Sequence, residues 1–271
     1  MKIFDFNIHL PWLKSNDVND VIDQDMNMSQ KEVIIGLDYH QAHINQVDGA
    51  NLLLFNTTLF DEVHAEVNDT LKQKLGLYEC THLVDFRRQD CRAYLEKAKG
   101  FGINAIMFNS YLQKIAPSDY DSVISVCKIA QELNLIVCID GSYGTSKMYT
   151  YKNLELACLV ADVVTQVPIV IVHSGGANVI DAMLLALDKK NVWLDTSFSL
   201  PYYLGSSLER DYAFVYKKLG YERIVFGSDH PYMDLKETID LHLNFFDKYQ
   251  FGQQAIDNIM FNNAQHLFSN K

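Results

Sequence analysis

The chain has 271 residues, 48% of them hydrophobic and 21% charged, with 13 Gly and 5 Pro. That apolar share is ample for a buried core, which excludes intrinsic disorder and collagen-like repetition. The formal net charge of −11 repels phosphate backbones, so neither nucleic acid nor an anionic membrane is an expected partner.

Eight short apolar runs alternate with longer amphipathic stretches. The first, residues 2–10 (KIFDFNIHL), carries Asp5, Asn7 and His9 at alternate positions. Such polar residues argue against a secretory leader. The other runs are 49–58, 80–87, 103–109, 135–141, 167–175, 191–198 and 223–231. Several are apolar on both alternating faces, as parallel strands covered by helices require. Residues 118–132 predict a helix capped by Ser118, with Val123, Val126, Cys127, Ala130 and Leu133 on one stripe. Residues 177–188, 206–219 and 253–268 carry similar patterns.

No linker, charge block or low-complexity tract divides the chain, so residues 1–271 are expected to form one domain. No apolar run reaches the ~18 residues that span a bilayer. The cysteines at 80, 91, 127, 138 and 158 form no Cys-x-x-Cys pair, the usage of a reducing compartment. A cytoplasmic protein with a small-molecule substrate is expected, and a homodimer is left open.

The polar residues that end the runs are His9, Thr57, Arg87, Asn109, Asp140, His173, Ser197 and Asp229. Their spacing ranges from 22 (Arg87 to Asn109) to 48 (His9 to Thr57). Most intervals are near the ~30 residues of one βαβ step. Eight such steps predict an α/β fold, a (β/α)8 TIM barrel with its site at the C-terminal ends of the strands. An open doubly wound sheet would show a Gly-rich turn after strand 1, where this chain reads NIHLPW.

Strand interiors exclude unpaired carboxylates, because burying a lone charge costs several kcal/mol. Asp140 and Asp229 at strand ends, with His9 and His173, therefore point to a site. Asn7 and His9, two apart on strand 1, face one side and can offer two donor atoms, with Asp5 one layer deeper. His173 opens the turn His-Ser-Gly-Gly (173–176), whose backbone N–H groups can hold an anion unless the glycines serve only the turn. Arg87 can pair with a substrate carboxylate. Asn109 either orients substrate or caps its loop. Tyr111, Tyr143, Tyr202, Tyr203 and Tyr232 follow strand ends and can line a pocket. His230 points away from Asp229. The histidines at 40, 43, 64, 82, 242 and 266 read as surface or satisfied core. No Walker A loop, Gly-x-Ser-x-Gly elbow or His-Glu-x-x-His helix is present.

The segments FDFNIHL (4–10), GFGINAIMFNSYLQ (100–113), VPIVIVHSGG (167–176), NVWLDTSF (191–198), RIVFGSDHPY (223–232) and NIMFNNAQHLF (258–268) occur in order. In these the chain resembles the amidohydrolase superfamily, in its amidohydrolase-related branch of metal-dependent barrel hydrolases and decarboxylases. The resemblance implies a His-x-His pair on strand 1, a His on strand 5, a His on strand 6 and an Asp on strand 8. His9, His173 and Asp229 match, whereas Asn7 and Asp140 stand in place of two histidines. A divalent metal, Zn, Mn or Mg, would then be held by Asn7, His9, Asp140 and Asp229. This donor set is harder than the usual one, so it favours Mn or Mg over Zn, or no metal.

The expected activity is hydrolysis of a small carboxylated or sugar-derived lactone, ester or amide by an activated water. His173 would polarise the carbonyl or take the proton, and Asp229 would act as base. A metal-assisted decarboxylase and a non-catalytic ligand-binding barrel are the alternatives.

Overall fold

The structure is a computed structural model that describes residues 1–9, 46–54, 78–142 and 146–269. Its centre is an eight-stranded parallel sheet in sequential order: β1 (Phe4–His9), β2 (Gly49–Leu54), β3 (Tyr78–Leu83), β4 (Ala105–Phe108), β5 (Ile136–Asp140), β6 (Ile169–Val172), β7 (Val192–Asp195) and β8 (Ile224–Val225). The two ends of the sheet meet. Phe6 N–H donates to the Phe226 carbonyl at 2.8 Å, Asp229 N–H to that of Asn7 at 2.9 Å, and His9 N–H to that of His230 at 2.8 Å. All eight expected strands are present, in a (β/α)8 barrel.

Alternation along the strands sorts their side chains into two layers. Ile106, Phe108, Val137, Ile139, Ile169 and Ile171 pack outward in one cluster with helix residues such as Val123, Cys127, Leu156 and Val160. Phe4, Phe6, Met107, Cys138, Val170 and Val172 form a separate inner cluster. Phe268, from the last helix (Asn263–Ser269), stacks on Phe4 and Phe6 with centroids 5.9 and 5.8 Å away and closes the N-terminal end of the barrel. Phe268→Ala is expected to cost about 3 kcal/mol through the cavity it leaves. A guanidinium melt that shows no change in midpoint would refute this plug.

The principal helices are α1 (Cys91–Gly100), α2 (Tyr120–Glu132), α3 (Asn153–Val163), α4 (Val179–Asp188), α5 (Leu208–Lys218) and α6 (Leu235–Lys248). The stripe on α2 is buried at Val123, Val126, Cys127 and Ala130. Ser118 is not its cap. Pro117–Asp119 forms a 3-10 turn ahead of α2, and the Asp119 carboxylate accepts from Ala116 N–H at 3.0 Å. Proline suits a first helical position, having no N–H to leave unsatisfied, so the turn begins there. No helix among the described residues is long and apolar enough to cross a membrane.

Strand β4 ends earlier than its apolar run, because a polar side chain takes over a backbone bond. Asn109 N–H donates to Gln113 Oε1 at 2.9 Å, so β4 stops at Phe108. A register shift in β1 between Asp5 and Ile8 also interrupts simple alternation. Asp5 lies in the seam between β1 and the segment after β8, where its Oδ1 accepts from Ser228 N–H at 2.9 Å and Asn7 N–H at 3.1 Å.

Candidate active site

Four strand ends deliver two carboxylate–imidazole pairs. Asp229, after β8, accepts at Oδ1 from His9 Nε2, 2.8 Å away. Asp140, at the end of β5, has Oδ2 3.5 Å from His173 Nε2, at the end of β6. All four side chains are buried. Asp229 and His173 both sit in the left-handed region, with φ of 65° and 62°. Non-glycine residues rarely adopt this conformation, and it concentrates where surrounding contacts hold a functional side chain in place.

Asp140 is heavily bonded. Its Oδ2 also accepts from Asn109 Nδ2 at 2.9 Å, and its Oδ1 accepts from Ser142 N–H at 2.9 Å and from the Ser142 hydroxyl. Burial alone would raise its pKa, but the His173 bond and charge, with the Ser142 bonds, hold it below the ordinary value. Burial would depress His173, yet the bond to Asp140 and the charges of Asp229, Asp140 and Asp195 raise it to about 10. The ring is therefore a cation at neutral pH, held among acids.

Asn109 both orients Asp140 and caps its own loop, its Oδ1 accepting from Leu112 N–H at 3.0 Å. Tyr111 and Tyr232 stand beside the carboxylates. Burial and then Asp140 push the Tyr111 phenol well above its usual value, and burial with Asp229 does the same for Tyr232. Both remain hydrogen-bond donors at neutral pH. Tyr232 packs edge-on to His9 at 5.2 Å, and Phe198 edge-on to His173 at 6.1 Å. Arg87 is engaged elsewhere: it donates to the carbonyls of Gln113 (3.1 Å) and Lys114 (3.4 Å), and pairs with Asp119. Tyr143 lies outside the described residues, as do Thr57, His40, His43 and His64.

The glycines of the 173–176 turn serve the backbone: Gly175 has φ +80° and sits against Ala182. The His173 amide is committed to Asp195 Oδ1 at 2.8 Å. His82 and His242 are buried core residues. His82 Nε2 meets the Tyr94 hydroxyl at 2.7 Å, and His242 lies between the Thr238 carbonyl and Thr196 Oγ1. Burial lowers His242 to about 4, so it is neutral.

One residue of the site, Asp195, is not singled out by the sequence, and a second, Ser197, shows there only as the polar end of a strand. Asp195 ends β7, wholly buried, and burial raises its carboxyl to about 6. The hydroxyl of Ser197, two residues on, touches both His173 and Asn7. An acid inside the apolar run NVWLDTSF was the available signal.

The donor atoms expected to hold a metal are largely engaged. Asp140 already accepts at both oxygens and His9 Nε2 is bonded to Asp229, while Asn7 Oδ1, the amide atom that could ligate, is buried without a hydrogen-bond partner. Among the described residues no group of three or more His, Cys, Asp or Glu is gathered to hold an ion. This arrangement does not fit a tightly bound divalent cation, which needs several open donors converging at about 2–2.6 Å.

Comparison with known proteins places the chain. No curated protein matches it significantly. Among solved structures, an uncharacterized TIM-barrel protein from Bordetella bronchiseptica superposes with a TM-score of 0.74 at 16% identity, covering 98% of both chains. A probable 2-pyrone-4,6-dicarboxylic acid hydrolase from Acinetobacter baumannii, with citric acid bound, gives 0.64 at 16% identity, covering 99% of both chains. A dihydroxybenzoic acid decarboxylase from Polaromonas sp., with bound manganese and an inhibitor, gives 0.61 at 14% identity, covering 98% of this chain and 96% of that one. At these identities the likeness speaks to fold. The amidohydrolase family model matches residues 22–269, and the chain belongs to the amidohydrolase family.

Proposed function

We propose that this chain hydrolyses a small acidic lactone, ester or amide, using its two carboxylate–imidazole pairs rather than a metal. The observation that carries this reading is the convergence of His173–Asp140 and His9–Asp229 on the strand ends. The pairs differ in a useful way. His9 and Asp229 are in close hydrogen-bond contact at 2.8 Å, whereas His173 Nε2 stands 3.5 Å from Asp140. The longer contact makes the His173 N–H the more readily redirected of the two toward a substrate oxygen.

In the reaction, water attacks the substrate carbonyl and gives its proton to Asp229, whose carboxylate His9 orients. The carbonyl oxygen gains negative charge as the new C–O bond forms, and the His173 cation stabilises it. The intermediate then breaks its bond to the leaving oxygen or nitrogen, which takes the proton back from Asp229. Tyr111 and Tyr232, held as phenols, can donate to a carboxylate of the substrate. The pyrone dicarboxylic acid hydrolase neighbour, with citric acid bound, supports an acidic substrate, although it shares only 16% identity.

A panel of carboxylated lactones, esters and amides tests this, with carbon dioxide release followed in parallel. Ring or ester opening without carbon dioxide is expected, undiminished after dialysis against a chelator. Protein purified without chelator should hold well under one divalent ion per chain. Carbon dioxide as the product, stoichiometric metal, or activity abolished by chelation would overturn the reading.

A further inference from the structure

We propose that Asn7, Ser197 and Asp195 form a buried hydrogen-bond relay that positions His173 with a proton on Nδ1 and turns Nε2 toward the mouth. The inference rests on the reading of His173 as the group that faces the substrate, but its test needs no substrate.

The relay follows from counting hydrogens. The Ser197 hydroxyl meets three groups: Asn7 Nδ2 at 2.6 Å, His173 Nδ1 at 2.9 Å, and Asp195 Oδ1 in a short contact. A hydroxyl has one hydrogen to give and two lone pairs to receive. The Asn7 amide nitrogen can only donate, so it occupies one lone pair. Asp195 Oδ1 is an acceptor, because it already receives His173 N–H at 2.8 Å and Ser197 N–H at 3.2 Å. The hydroxyl hydrogen therefore goes to Asp195. One lone pair remains, and it faces His173 Nδ1, which must bring the hydrogen. The Ser197 carbonyl, 3.2 Å from the same nitrogen, can only accept and makes the same demand.

The geometry also explains why this carboxylate matters to the ring. A single oxygen of Asp195 holds the His173 backbone amide directly and, through Ser197, the far side of its imidazole. The His173 backbone, at φ 62°, needs such an anchor. Asn7, Asp195 and Ser197 are wholly buried, so water does not compete for these bonds. Asn7 stands where the family resemblance implies a metal-binding histidine, and here its amide joins the relay instead. Asn7, Ser197 and Asp195 are positioning residues: they act on chemistry through His173.

The test is NMR of the full chain labelled with 15N-histidine. Wild type is expected to show a low-field, slowly exchanging Nδ1–H that vanishes in His173→Gln, which assigns it. In Ser197→Ala the signal should move or disappear, and in Ser197→Thr, which keeps a hydroxyl, it should return. An Nδ1 of His173 without hydrogen in the wild type overturns the relay, and this measurement needs no variant to fold beyond the one used for assignment. An unchanged signal in folded Ser197→Ala also overturns it, leaving Ser197 a packing role alone. Neither result depends on whether the chain is a hydrolase.

Discussion

Asp229→Asn is expected to lower kcat by about a thousandfold on any substrate the chain turns over, within the range general-base removal commonly costs. The substitution isolates the chemistry. Asparagine keeps the size and planarity of the side chain, and its amide can still meet His9 Nε2, now 2.8 Å from Asp229 Oδ1. Asparagine also tolerates the left-handed backbone better than most residues, which suits the φ of 65° at this position. What it lacks is an oxygen basic enough to take a proton from water. The melting temperature should therefore stay near wild type while turnover collapses. Steady-state kinetics beside a thermal melt decide the matter, and an unchanged kcat in the folded variant would remove Asp229 from the reaction.

Gly227→Ala should destabilise the barrel by about 2 kcal/mol, a drop of roughly 5 °C in Tm. A β-carbon built at Gly227 overlaps Asp195 Oδ2 and comes within 2.9 Å of the β-carbons of both Asn7 and Ser197. All three neighbours belong to the relay behind His173, so none can move away without breaking it. Gly100→Ala is the control. Nothing lies within 4 Å of a β-carbon there, at the end of α1, and alanine should be neutral or slightly stabilising. Equal melting temperatures for the two variants would mean that the packing around Gly227 yields easily.

The fold was legible because strand and helix periods are local properties. The eight apolar runs correspond to the eight strands, and the α2 stripe of Val123, Val126, Cys127 and Ala130 is buried as expected. Strand ends were less legible, since Asn109 leaves the ladder for Gln113, a partner that periodicity does not reveal. The candidate site divides in the same way. His9, Asp140, His173 and Asp229 stood out as polar groups closing apolar runs, and the structure brings them together as two pairs. Arg87 stood out equally, yet its bonds run to the loop after β4. The roles of Asp195 and Ser197 are not legible in the sequence, because they exist only through contacts with residues far along the chain.

The −11 charge illustrates the division. Composition and order along the chain determined an acidic barrel with titratable groups at its strand ends, because hydrophobic period and element length depend on neighbouring residues alone. Only the tertiary structure decided which acid serves which imidazole. Those choices depend on bonds between residues 22 (His173 to Asp195), 190 (Asn7 to Ser197) and 220 (His9 to Asp229) positions apart, set by barrel register and closure. In that closed register the carboxylates that seemed poised for a cation are occupied by imidazole, hydroxyl and amide groups.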